Sequence, residues 1–211
     1  CCIGGCMSSI RLKHSGGNFV SIAAPTSNPA ADRTILLPSD ANGTLARTLD
    51  VVYKSYACIV DAKNDNTDGG VFTNGAWRTR DLNTEIADTD GIVSLSNNQF
   101  TLGSGTYLIR WNCPAIQVDG HQSRLYSVTD NAAIKNGSAS FAGKISSGAE
   151  SRSMMSFKYA ILGNTTFEIQ HRSHSTSGGS WGFGAASSGS INWNSGTGTV
   201  IYTILEIFKE P

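Results

Sequence analysis

Apolar and polar residues alternate with a period of two along most of the chain. In "TYLIRWNC" Tyr107, Ile109, Trp111 and Cys113 fall on one face and Leu108, Arg110 and Asn112 on the other. In "TTFEIQH" Phe167 and Ile169 oppose Glu168 and Gln170. Such alternation is the mark of a half-buried strand. No window sustains apolar residues at i, i+3 and i+4 over about ten residues, so no helix is expected. Turn signals recur as Asn-Gly or Asp-Gly at 42–43, 74–75, 90–91, 119–120 and 136–137. The pattern predicts strands near 10–14, 18–23, 33–37, 51–60, 76–80, 92–95, 99–102, 106–114, 123–129, 138–143, 153–162, 165–172, 182–187 and 199–209. Many short strands between regular turns define an all-β sandwich or barrel.

The chain divides near residue 50. Residues 7–50 open with "IRLKHSGGNFVSI", a hairpin turning at "SGGN", and continue through a proline-marked stretch with few large apolar residues. An isolated hairpin is marginal at best, so this lead-in is expected to lean on another surface. Residues 51–211 begin and end with apolar strands, "VVYKSYACIV" and "VIYTILEIF", which are expected in central positions of one sheet. In the last strand both alternation sets are apolar: Val200, Tyr202, Ile204 and Phe208 against Ile201, Leu205 and Ile207. Two apolar faces call for a second cover, and with no helix to supply it another copy of the chain is the simplest one. Glu206 interrupts this face and is expected to need a basic partner from a neighbouring subunit.

Composition narrows the function classes. Charged residues make up 15% of the 211-residue chain, below the roughly 25% typical of globular proteins. Sixteen basic residues balance sixteen acidic ones, which leaves no electrostatic footprint for nucleic acid. No run approaches the roughly 20 apolar residues of a membrane span, so no membrane insertion is expected. A neutral surface of hydroxyls and amides suits sugars or other protein chains. Three of the five cysteines lie in the opening "CCIGGCMSS", in a spacing that is not a structural zinc pattern. Residues 1–6 before Met7 read as a tag or non-native leader. Cys58 and Cys113 lie in apolar strands and read as buried free thiols, with a bridge between them left open.

The stretches "GAWRTRDLNTEIADTDGIVSLSNNQFTLGSGTYLIRWNCPA", "HQSRLYSVTD", "TTFEIQHRSHS" and "VIYTILEIFKE" resemble, in order and wording, the jelly-roll heads of the tumour necrosis factor and complement globular-head superfamily. They are most similar to the branch found in bacteriophage tail fibres and related virion proteins. The segment "IRLKHSGGNFVSIAAPTSNP" followed by "TILLPSDANGTL" is similar to the β-structured lead-in that precedes such heads. The resemblance covers nearly all of 51–211. It implies a ten-stranded, tumour necrosis factor-like jelly-roll sandwich, a homotrimer about the terminal strands, display loops at one end, and no chemistry. The implied setting is the outer surface of a virion assembled in the host cytoplasm. Two roles follow: a tail-fibre or spike knob binding a host-surface glycan, or a capsid decoration or head-fibre protein. In either, residues 7–50 would attach to other virion proteins of tail or capsid. A polysaccharide-degrading enzyme is a remote third.

The chemical motifs are weak beside this. Arg78, Arg80 and the acids of "GAWRTRDLNTEIADTDGIVSL" suggest an active site, but glycosidases need two carboxylates roughly 5–10 Å apart in a cleft. Asp88 and Asp90 instead fit a turn before Gly91. By alternation Trp77 and Thr79 share one face, with Trp77 read as core, while Arg78 and Arg80 share the other as rim or intersubunit contacts. "GGSWG" matches a nucleophile elbow around Ser180, but the elbow works only between a strand and a helix. "NDNTDGG" begins like a calcium loop and has Gly75 where a bidentate glutamate is required. No cofactor, metal or catalytic residue is therefore expected. The trimer-interface candidates are Tyr202, Ile204, Glu206, Phe208, Arg78 and Arg80. Trp193 flanked by Asn192 and Asn194, together with His174 and Trp181, are the receptor-binding candidates, because exposed aromatics beside amides suit sugars.

Overall fold

A computed structural model describes residues 9–13, 15–17, 19–23, 53–144, 149–176, 179–186 and 198–211. The chain splits into two compact units, Cys1–Leu45 and Ala46–Pro211. In the first, β1 (Ser9–Lys13) and β2 (Phe19–Ala23) form an antiparallel hairpin with Ile10 opposite Ile22. The expected strand at 33–37 lies outside the described residues.

Among its described residues the second unit holds eleven strands. These are β3 (Ser55–Asn64), β4 (Arg78–Thr79), β5 (Thr84–Asp88), β6 (Val93–Ser96), β7 (Gln99–Leu102), β8 (Gly105–Ile116), β9 (Asp119–Ser127), β10 (Ala132–Ala142), β11 (Glu150–Ile161), β12 (Thr165–Ser173) and β13 (Thr199–Lys209). One sheet runs β11-β8-β13-β3-β5 and the other β10-β9-β12-β7-β6, with the two-residue β4 added beside β12. Every strand pairing is antiparallel. From β7 onward the chain changes sheet at every connection except the β9–β10 hairpin. That wiring nests β3 beside β13, β7 beside β12, β8 beside β11 and β9 beside β10, which is a jelly roll of ten strands. Among the described residues no helix is long and apolar enough to cross a membrane.

The alternation read from the sequence places the core. Tyr107, Ile109 and Trp111 of β8 meet Phe167 and Ile169 of β12, with Phe100, Leu102, Leu125, Leu205 and Ile207 between the sheets. Each fully buried side chain of this kind contributes about 1.5–3 kcal/mol. Cys58 and Cys113 are buried and unbridged. The apolar terminal strands are neighbours, and β13 lies between β8 and β3.

Three expectations change. The strand expected at 182–187 is not formed over its described part, 182–186: Trp181–Phe183 form a turn, with Gly184 N bonded to Trp181 O at 2.9 Å. An unexpected strand, β5, pairs with β3 and ends at Asp88, whose carboxylate takes the amides of Ile92 and Val93 at 2.9 Å each. The alternation of β13 is also interrupted. Its register with β3 slips between Ile201 and Ile204, so Tyr202 and Thr203 both turn inward and are buried. Tyr202 then donates its hydroxyl to Thr67 O at 2.7 Å inside the subunit. It does not share a face with Ile204, as simple alternation had it, and is removed from the outward surface.

The interior is polar at one end. Arg80, entirely buried, donates from Nε to Thr203 Oγ1 at 2.8 Å, from one terminal nitrogen to Pro114 O at 3.2 Å and from the other to Phe183 O at 2.9 Å. Its guanidinium also lies 4.2 Å over the Phe183 ring. The expected shared face of Arg78 and Arg80 is not kept: Arg80 is buried while Arg78 and Trp77 lie at the surface. The arginine enters the sandwich and the tryptophan faces out, because only the interior offers Arg80 a set of convergent carbonyls. Arg80 therefore cannot be an intersubunit contact. Arg78 stays exposed and reaches Thr73 Oγ1 at 2.9 Å.

Beside Arg80, side chains hydrogen-bond across the two sheets. Trp111 Nε1 donates to Ser123 Oγ at 2.7 Å, and Ser123 pairs with Ser153 at 2.7 Å. This contact needs Gly137, since a Cβ there would stand 2.6 Å from Ser123 Oγ. His121 bridges Ser151 Oγ at 2.7 Å and His171 Nε2 at 2.9 Å. Burial, then the Arg80 charge, pushes His121 down from 6.5 to about 4, and the same causes put His171 well below its ordinary value. Both imidazoles are thus neutral in the folded protein, while unfolded histidines protonate below about pH 6.5. Their stabilisation is complete above that pH and is lost as pH falls from 6.5 towards 4. The loss is at most about 1.4 kcal/mol per pH unit for each histidine. Buried Asp61, whose carboxyl is raised by burial, works in the opposite direction. Melting temperature is expected to fall by several degrees between about pH 7 and pH 5, and less in His171→Asn. A flat profile in the native protein would contradict neutral buried histidines.

Candidate functional site

A surface cleft of about 450 Å³ opens on the outward face of the β9–β12 sheet. Four segments build it: the turn before β4, the starts of β9 and the ends of β10 and β12. The "NG" turn at 74–75 brings Trp77 in. Gly75 adopts φ 68°, which favours glycine, and its amide bonds to Ser173 O at 3.0 Å, fixing this turn to the end of β12. Trp77 follows on the outward side and is half-exposed. The sequence reading of Trp77 as core is corrected here: β4 lies at the margin of the sheet, where the core positions belong to Arg80 and Leu82.

Arg124 fixes the indole. Its guanidinium lies 4.0 Å over the Trp77 ring and 4.9 Å over Tyr126, and its Nε donates to Gln170 Oε1 at 2.8 Å. Cation–π contact of this kind contributes about 0.5–1 kcal/mol at an exposed site. One face of the ring is therefore occupied, and the cleft is lined by Trp77 without Arg124. Around it stand Asn74, His121, Gln122, Arg172 and His174. Gln122 donates from Nε2 to Gly137 O at 2.9 Å, which leaves its carbonyl oxygen free to accept a further hydrogen bond. His174 is exposed, and its amide is tied to Gly120 O at 2.7 Å. The arrangement offers an aromatic surface, amides and cations, with no aligned nucleophile and base. The Ser151–His121–His171 chain behind it has a neutral histidine and no carboxylate in third place, so it joins the sheets without activating the serine.

The other expected site residues are spread over the molecule. Trp181 is half-buried in its turn and donates from Nε1 to Gln117 Oε1 at 3.1 Å; it does not line the cleft. Trp193, Asn192 and Asn194 lie outside the described residues. Asp68 of the calcium-like loop accepts the Ala186 amide at 2.8 Å and the Ser180 hydroxyl, so both motif residues brace a loop. Sequence reasoning singled out His174 alone among the cleft residues. The missed signal was the outward set Gln122, Arg124, Tyr126, Gln170 and Arg172 on adjacent strands, which is too polar and aromatic for an idle face.

The opposite sheet presents a different surface. On the outward face of β3, β8, β11 and β13, Tyr56 is 36% exposed and Met154 50%, with Leu108, Ile204 and Phe208 partly open. Phe208 packs against Tyr53 and Tyr56 with ring centroids 5.1 and 4.8 Å away. Glu206 finds its basic partner within the same subunit, where Arg110 lies opposite in register at 3.9 Å and Tyr56 donates at 3.3 Å. The expected neighbour's cation is therefore not required.

No family model matches the sequence, and no curated protein matches it. Solved structures with a similar fold include the globular domain of zebrafish complement 1qA protein, at 12% identity and a TM-score of 0.45, covering 74% of this chain and 96% of that one. Murine APRIL at pH 5.0 is similar at 8% identity and a TM-score of 0.45, covering 74% and 98%.

Proposed function

We propose that the chain is a non-enzymatic bacteriophage virion protein, the homotrimeric head of a tail fibre or spike that binds a glycan on the host surface. The observation that carries this reading is the contrast between the two outward faces. One gathers Tyr56, Met154, Ile204 and Phe208 around the internally paired Arg110 and Glu206, suited to burial against copies of itself; the other keeps the Trp77 cleft open to solvent. The sequence resemblance supports the phage setting and the attachment role of residues 7–50. Three modest sites on one trimer hold a surface together far better than one, which suits a shallow cleft.

The test is adsorption of the isolated protein to host cells and envelope extract. Trp77→Ala is expected to weaken adsorption about tenfold or more, the loss of one aromatic platform at each of several sites, with native mass unchanged and melting lowered by no more than the few degrees that the lost Arg124 contact accounts for. If the isolated protein binds neither cells nor extract yet attaches to particles lacking it, recognition fails and the decoration role replaces it.

A further inference from the structure

Resting on the glycan-binding reading, we infer that the Trp77 cleft takes an acidic saccharide, with a sugar ring on the free face of Trp77 and its carboxylate on Arg172. The chain as a whole is neutral, but the cleft is not. The Arg172 side chain is exposed and makes no ion pair or hydrogen bond among the described residues. The neighbouring guanidinium, Arg124, is committed to Gln170 and to the rings of Trp77 and Tyr126. No aspartate or glutamate lines the cleft.

The acids of the two strands that carry Gln122 and Arg172 are engaged elsewhere. Asp119 accepts the Ser175 hydroxyl at 2.8 Å and the Lys144 amide at 3.3 Å. Glu168 is held by Gln99 at 3.1 Å and by Gln170. A guanidinium left unpaired beside an aromatic ring, with Asp119 and Glu168 hydrogen-bonded to other groups, is matched by an incoming planar carboxylate, which it binds through two parallel hydrogen bonds. Because Arg124 covers one side of the indole, the cleft stacks one ring at a time. The Gln122 carbonyl oxygen and Asn74 then face the hydroxyls of that ring, and exposed His174 adds a donor. Charge and stacking together choose an acidic sugar over a neutral one.

The experiment measures binding of the full-length protein to polygalacturonate, hyaluronate and oligosialate, each beside its methyl ester, by titration calorimetry with Trp fluorescence in parallel. At least one acid is expected to bind about tenfold or more tightly than its ester, the loss of one charge-assisted contact. Raising salt should weaken the acid and leave the ester unchanged. Arg172→Gln should erase the difference between acid and ester without changing native mass or melting. Equal affinity for acid and ester, or a preference that survives Arg172→Gln, overturns the acidic-sugar inference while the glycan reading stands. Binding of an Asp- and Glu-rich peptide at the same strength as the sugars also overturns it. If no saccharide binds but the protein still adsorbs to cells, the glycan reading itself falls.

Discussion

Arg80→Ala is expected to cost about 3–5 kcal/mol, because it strips a buried cation from acceptors that no other group can reach. Thr203 Oγ1, Pro114 O and Phe183 O converge on one guanidinium from three separate segments. Removing it leaves these oxygens desolvated and unpaired, and it opens a cavity against Phe183. For a domain of this size the shift in melting temperature is about ten degrees. Arg80→Lys should recover little of it, since an ammonium on a flexible stem cannot serve three fixed acceptors and a ring face together. Chemical denaturation followed by fluorescence and circular dichroism measures the loss. A change under about 1 kcal/mol would mean that the polar interior is not what holds this end of the sandwich.

Ile204→Asp should abolish self-association and yield monomeric or insoluble protein. Ile204 stands on the outward face, opposite Asn112 of β8 and Val60 of β3, one alternation step from Glu206. A second carboxylate there places like charges on a surface that subunits would desolvate together, a penalty of several kcal/mol at an interface. Leu162→Asp is the control. Leu162 is 97% exposed in the turn between β11 and β12, so its replacement should change neither native mass nor melting. Retention of native mass and melting in Ile204→Asp would contradict the proposed covering of this face.

What could be read in the sequence was whatever follows from local period. Tyr107, Ile109 and Trp111 point inward because their strand alternates cleanly, and the two apolar terminal strands pair because nothing else in the chain is as apolar. The failures have equally specific causes. In β13 both alternation sets are largely apolar, and a single threonine, Thr203, does not announce the slip that turns Tyr202 inward. Arg80 reads as surface because its acceptors are two main-chain carbonyls and a threonine hydroxyl, which no motif reveals. The short β5 is masked by its own acids, Glu85 and Asp88, the second of which caps a turn. Trp77, with small or charged neighbours, looks like a core residue in one dimension. Only the Gly75 turn and the stacked Arg124, distant in sequence, make it the wall of a cleft.

The proposed head depends on the apolar outward face being covered by other copies of the chain. Sedimentation equilibrium of the purified protein, with native mass spectrometry alongside, tests that most directly. The predicted result is a single species with the mass of three 22.3 kDa chains, stable on dilution. A well-folded, soluble and monodisperse single chain would contradict it.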